Sequence, residues 1–175
     1  MKKYINGIYV DMTQEEIQQA EQAQAEWERK EKTRPRTEYE GIIALCKSVL
    51  QQKITETDDK TIGIACMALF SVYEQNKYHE VGEVATHLET GYPYECMTAY
   101  DGSVQQDWTI DNRTLWKPWH SRKKEYALPW EQPTGAHDMY KAGEYMIWTD
   151  GTVKKCIQDT NFSPDEYHQA WEDAS

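Results

Sequence analysis

Residues 140–156 read YKAGEYMIWTDGTVKKC, and residues 78–96 read YHEVGEVATHLETGYPYEC. Set side by side, they decide the fold. Tyr78, Gly82, Glu83 and Cys96 of the earlier stretch align with Tyr140, Gly143, Glu144 and Cys156 of the later one. The order then continues, with Asp107-Trp108-Thr109 beside Asn161-Phe162-Ser163 and Trp116 beside Trp171. The offset drifts from 62 to 54 residues as loop lengths change, while the order is kept. A repeat of this period predicts two copies of one small unit. Gly82 and Gly143 sit where a turn delivers the chain into a strand. Asp150-Gly151 between EYMIWT and TVKKCIQ is a hairpin signal, and Cys96 and Cys156 fall mid-strand as small buried side chains. Each copy reads as a minimal β-module.

Composition explains why such modules are rich in rings. Leu, Ile, Val and Phe number 6, 11, 7 and 2 among 175 residues, about 15%, below the roughly 20% at which a charged chain is suspected of disorder. Seven Trp and 12 Tyr supply the missing apolar area, at roughly 150–250 Å² per buried ring. A doubly wound α/β enzyme is excluded, because its parallel strands read as Val/Ile/Leu runs. The net charge of −11 shows no basic stripe for a phosphate backbone, so nucleic acid is not an expected partner. The longest apolar run, Ile62 to Tyr73, is too short for the roughly 20 residues of a membrane span. Lys2 and Lys3 precede no signal-peptide apolar segment, which places synthesis in the cytoplasm without secretion by that route. The four cysteines show no CxxC pair and read as reduced and buried.

The first third differs from the rest. It holds only six of the 21 aromatics up to residue 75 and is nearly neutral to residue 60. YINGIYV predicts a hairpin at about 3–10 around Asn6-Gly7. Thr13 and Glu16 have capping-box spacing before a Glu/Gln/Ala-rich helix that runs to about Lys32 and ends at Arg34-Pro35. Ile17, Ala20 and Trp27 form its thin stripe, with Gln24 in the seam. This fits a marginal coiled coil or an arm on a partner, or equally a solvated helix. Two further helices are expected over 38–54 and 59–73, the first with a stripe of Ile42, Leu45 and Val49 beside Ile43 and Leu50. Cys46 and Cys66 read as packing residues on their apolar faces. The fold class is therefore α+β: an N-terminal hairpin and helices, then two tandem β-modules. The divisions are 1–35, 36–73, 74–119 and 129–173, with a charged linker at 120–126.

The module pattern is W-x4–9-Y-x2–3-G-[DE]-x-[VY], a hairpin, [YK]-x-C, W-T-P or its degenerate form, and a closing Trp. It resembles the carbohydrate-binding modules of families 5 and 12, which bind chitin and cellulose on bacterial glycosidases. MKKYINGIYVDMTQEE in turn resembles the opening of prophage tail proteins of Gram-positive bacteria, which end in one or two such modules. The first copy supplies Tyr73, Tyr78, Gly82, Val84, Tyr94, Cys96, Trp108 and Trp116. The second supplies Trp130, Tyr140, Gly143, Cys156, Phe162 and Trp171. The resemblance implies a non-enzymatic tail component, assembled into a virion-like particle beside other tail and baseplate proteins, that contacts cell-wall polysaccharide. Because the thin stripe of Ile17, Ala20 and Trp27 cannot stabilise an isolated helix, self-association through residues 1–35 is expected, with a trimer favoured if the chain sits in a fibre.

An apolar sugar face lies flat on an electron-rich ring, while adjacent polar groups orient the hydroxyls. The resemblance implies as candidate carbohydrate-binding residues Tyr73 and Trp130 at the leading aromatic position and Trp108 and Phe162 in the platform slot, with Asp107 beside Trp108 and with Trp148 as a further ring beside Asp150. Trp108 and Phe162 could instead be lids of a small core. The alternatives are a binding module of a polysaccharide-degrading system and a structural adaptor that binds protein. No catalytic, metal or cofactor site is expected. The five His lack HExxH or i, i+4 spacing, and no phosphate loop or G-x-S-x-G occurs.

Overall fold

The computed structural model describes residues 2–5, 8–33 and 37–174. The chain divides into two compact units, residues 1–44 and 45–175.

The first unit starts with strands β1 (Lys2–Ile5) and β2 (Ile8–Asp11), paired antiparallel with Tyr4 opposite Tyr9 and Ile5 opposite Ile8. This is the expected hairpin; its Asn6-Gly7 turn lies outside the described residues. Helix α1 (Gln14–Thr33) follows. The Thr13 N–H donates to the Glu16 carboxylate at 3.0 Å, and the Glu16 N–H donates to Thr13 Oγ1 at 3.2 Å. Two orphan donors of the first turn are satisfied by this exchange. Ile17 and Ala20 are half-buried and Trp27 is exposed. A second box that the sequence reading passed over, Thr37 with Glu40 (3.1 Å each way), starts helix α2 (Glu38–Thr57).

The second unit takes up the rest of α2 and all that follows. Leu50 and Ile54 of α2 pack against Ile64 of helix α3 (Thr61–Ala65) and against Trp119, with Phe70, Val84 and Leu128 around them. The Asp59 carboxylate accepts the Thr61 N–H at 2.9 Å.

Two helix expectations need correction. The helix expected over 59–73 ends at Ala65, passes through a 3₁₀ turn at Met67–Leu69, and becomes strand β3 (Ser71–Val72). Tertiary pairing overrides local periodicity here. Ser71 and Val72 pair with Ala85 and Thr86, and Phe70 meets Trp119 edge-on at 5.4 Å. On α2, Leu50 is buried, but Ile42, Leu45, Val49 and Cys46 are exposed. Cys46 is therefore not a packing residue of this core.

The two β-modules share one topology. In the first, β3, β5 (Val84–Thr86), β6 (Pro93–Cys96) and β8 (Trp116–Pro118) form a sheet in that order, and β4 (Tyr78–His79) pairs separately with β7 (Tyr100–Asp101). In the second, the order is β9 (Leu128–Pro129), β10 (Tyr145–Ile147), β11 (Val153–Cys156), β12 (Trp171–Asp173). Each sheet has one parallel pair followed by two antiparallel pairs.

The hydrogen bonds repeat as well. Gly82 N–H donates to Cys96 O at 2.8 Å, and Gly143 N–H to Cys156 O at 2.7 Å. Both glycines have positive φ, 82° and 95°, a conformation that any Cβ would strain. Cys96 is opposite Trp116 and Cys156 opposite Trp171, and both thiols are buried. Burial pushes them up to about 11 and about 12. The hairpin at Asp150-Gly151 forms as read, with Trp148 N–H donating to Thr152 O at 2.7 Å and Gly151 at φ 86°.

The modules keep separate cores: Ala85, Tyr94, Cys96, Tyr100, Ile110, Leu115 and Trp116 in one, Tyr140, Met146, Cys156, Ala170 and Trp171 in the other. Residues 120–126 are only partly a solvent-exposed linker. Ser121 is fully buried and accepts the Tyr145 N–H at 2.7 Å. His120 is buried with Nδ1 3.1 Å from Glu144, and Arg122 N–H donates to Thr61 Oγ1 at 2.7 Å. The modules also meet directly. Tyr94 OH donates to the Glu131 carboxylate, which pairs with Arg113 at 2.7 Å, and the guanidinium lies 4.5 Å above the Tyr94 ring.

Candidate carbohydrate-binding site

In the first module, Trp108 is exposed at the end of loop 102–108, with Asp107 and Gln106 exposed beside it. The loop is built backward from Asp101, whose carboxylate accepts Ser103 N–H and Oγ–H at 3.0 and 2.6 Å. Those bonds hold the Asp101 carboxyl below its ordinary range. Gln75 then fastens the loop. Its Nε2 lies 3.1–3.4 Å from the carbonyls of Gly102, Gln105, Gln106 and Trp108. Gly102 is obligatory here, since a Cβ would lie 1.9 Å from the Gln75 carbonyl oxygen. The Tyr73 hydroxyl reaches Gln75 Oε1, Tyr100 OH and Trp108 O at 2.6, 3.1 and 3.2 Å. Tyr73 and Trp108 are thus brought together, with the Trp108 ring 5.6 Å from Tyr100. Burial, then the Tyr100 hydrogen bond, raises the Tyr73 hydroxyl well above its ordinary value, so it stays a donor.

Tyr73 itself is half-buried rather than free. It stacks on fully buried His79 at 5.0 Å and 12° and meets Trp116 edge-on at 5.6 Å.

The second module repeats the frame with different rings. Trp130 stacks on buried Tyr140 at 4.9 Å and 15°, and Tyr140 stacks on His120 at 3.7 Å and 6°. The leading aromatic therefore rests on His79 in one copy and on Tyr140 in the other. This corrects the sequence alignment, which set Tyr78 beside Tyr140. Tyr78 is exposed, while His79 occupies the buried position three residues before the positive-φ glycine. Burial fixes the register: His79 and Tyr140 each stand three residues before their glycine, so this stretch aligns without an insertion.

Trp148 is half-buried and edge-on to Trp130 at 5.7 Å. Beside it, Asp150 accepts Thr152 Oγ1–H and N–H at 2.6 and 2.8 Å, which hold its carboxyl below its ordinary range. Phe162 is 57% exposed. Its carbonyl accepts Trp171 Nε1–H at 3.1 Å, and the Asn161 carbonyl accepts Gln132 Nε2–H at 2.7 Å. A shallow cavity of about 440 Å³ opens under Phe162, lined by Met139, Gln158, Asp159, Asn161 and Tyr167.

The six candidates thus fall into two kinds. Trp108, Asp107 and Phe162 face solvent, while Tyr73, Trp130 and Trp148 serve the module cores. Gln75 and Gln132, which fasten the two loops, were not singled out in the sequence. The shared signal is [YW]-E-Q, at 73–75 and 130–132. His137-Asp138 belongs to a loop. Asp138 accepts N–H bonds from Thr134 and Gly135 at 2.8 Å, and His137 Nε2–H donates to Arg113 O at 3.1 Å. Among the described residues no helix is long and apolar enough to cross a membrane. No family model matches the chain, and no curated protein matches it.

Proposed function

We propose that this chain is a non-enzymatic adsorption protein of a phage-tail type, in which tandem β-modules contact cell-surface polysaccharide. One observation carries the reading: each copy has a loop that carries an exposed ring, Trp108 or Phe162, next to Asp107 or Asn161. A core has no need to present a large ring to water twice. A loop fastened by Gln75 holds Trp108 at little entropic cost, which is what a stacking platform requires. Single sites of this size bind near millimolar, about −4 kcal/mol, and become useful by repetition on a multivalent tail. Tail and baseplate proteins, and further copies of the chain, would be the assembly partners.

The half-burial of Tyr73, Trp130 and Trp148 favours a second reading, a structural adaptor that binds protein. Pull-down on purified Gram-positive cell wall and on chitin separates the two. Wild type should be retained, and Trp108→Ala should be retained several-fold less at an unchanged melting temperature. Absence of wild-type retention on both polymers removes the adsorption reading and leaves the adaptor.

A further inference from the structure

We propose that two copies of the chain pair through the outer face of α2, antiparallel and about a two-fold axis. This goes beyond the adsorption reading and does not depend on any glycan.

The inner face of α2 is used by Leu50 and Ile54. The outer face carries a second apolar stripe, Tyr39, Ile42, Leu45, Cys46 and Val49. The four large side chains are 55–72% exposed, and Cys46 is exposed too. They recur at three- and four-residue spacing, so they lie along one side of a 20-residue helix. That stripe continues the apolar sector past what the core needs, and single scattered apolar residues would not do so.

The flanking charges say what covers it. Glu38 and Lys53 are exposed on the same side, near opposite ends of the stripe. In the antiparallel register that sets Leu45 beside the partner's Cys46, Ile42 meets the partner's Val49 and Glu38 meets the partner's Lys53. The two-fold axis then makes both ion pairs at once, as an isologous interface must. A parallel arrangement, including the three-fold one expected for a fibre, would set Glu38 beside Glu38 and Lys53 beside Lys53. Self-complementarity of charge selects a second copy in the antiparallel sense. Five side chains per copy cover roughly 1,000 Å² in total, at the lower edge of specific interfaces. Dissociation is therefore expected in the micromolar range.

The test is sedimentation velocity of the full chain from 1 to 200 µM, with a circular-dichroism melt of each variant. Wild type should pass from monomer to dimer, and Val49→Glu should weaken the dimer at least tenfold. Glu38→Lys alone and Lys53→Glu alone should each weaken it several-fold, and the double swap should restore it. These two sites are exposed, so the swaps report pairing even if Val49→Glu were to lower the melt. A wild-type monomer at 200 µM overturns the proposal, because the face is then covered within the chain or by another protein. A trimer, or a double swap that fails to restore pairing, overturns the antiparallel register.

Discussion

Replacing Gln75 with Leu should cost much more than the same change at its counterpart Gln132. The Gln75 amide nitrogen has two hydrogens to share among four carbonyls at 3.1–3.4 Å, and its oxygen accepts the Tyr73 hydroxyl at 2.6 Å. Two net hydrogen bonds at about 1 kcal/mol each, plus loss of the Tyr73 acceptor, give about 2–3 kcal/mol. The Tyr73 hydroxyl keeps Tyr100 and Trp108 within reach, which holds the loss to that range. For a unit of this size, about 3–4 °C per kcal/mol applies, so Gln75→Leu should lower the melting temperature by roughly 6–12 °C. Gln132 is exposed and makes one short bond, to Asn161 at 2.7 Å. Its loss should cost about 1 kcal/mol, or roughly 3–4 °C. Thermal melts by circular dichroism at neutral pH decide it. A Gln75→Leu melt within 2 °C of wild type, or equal losses at the two sites, would refute the view that Gln75 fastens loop 102–108.

Three further outcomes follow from the same packing. Glu95 lies among Lys60, Lys117 and the Trp119 indole; burial pushes its carboxyl up, but those partners outweigh it and the net shift is down from 4.5. Its stabilising effect is thus complete above pH 4.5 and fades as pH falls through the folded value, so Glu95→Gln should melt lower than wild type at pH 7, by a margin that shrinks as pH falls below 4.5. Gly82→Ala and Gly143→Ala should each cost about 1 kcal/mol, read in urea midpoints: a Cβ meets no atom within 4 Å at either site, so the loss is strain at positive φ. The Cys96 and Cys156 thiols, pushed up to about 11 and about 12 by burial, should resist iodoacetamide at pH 8 in the folded protein and react in urea, as mass spectrometry would show.

Much of the frame was legible because it is written in local chemistry. The hairpin pairing Tyr4 with Tyr9, the Thr13–Glu16 box, the two positive-φ glycines and the Asp150-Gly151 turn each depend on neighbours in sequence. What failed depends on distant partners. Residues 66–72 have helical periodicity, but a parallel strand partner at 85–86 claims them. The outer stripe of α2 reads the same as its inner stripe, since periodicity cannot tell which apolar face meets a core. The Tyr78–Tyr140 alignment matched residue type, whereas burial matches His79 with Tyr140. At the candidate site, the repeat left open whether Trp108 and Phe162 face solvent or cover a small core, and the structure exposes both. The core duty of Tyr73, Trp130 and Trp148 arises from stacking across the fold, which no spacing encodes.

The central claim, that Trp108 is a glycan platform, is tested most directly by the indole N–H signals in a ¹H–¹⁵N spectrum titrated with soluble cell-wall glycan fragments. Trp116 and Trp119 donate their indole N–H to Tyr100 and Glu95, so they serve as internal references. The Trp108 signal, assigned by its loss in Trp108→Ala, should shift progressively with a millimolar midpoint while the Trp116 and Trp119 signals stay in place. A spectrum in which the Trp108 signal does not move at saturating fragment concentration would contradict the account.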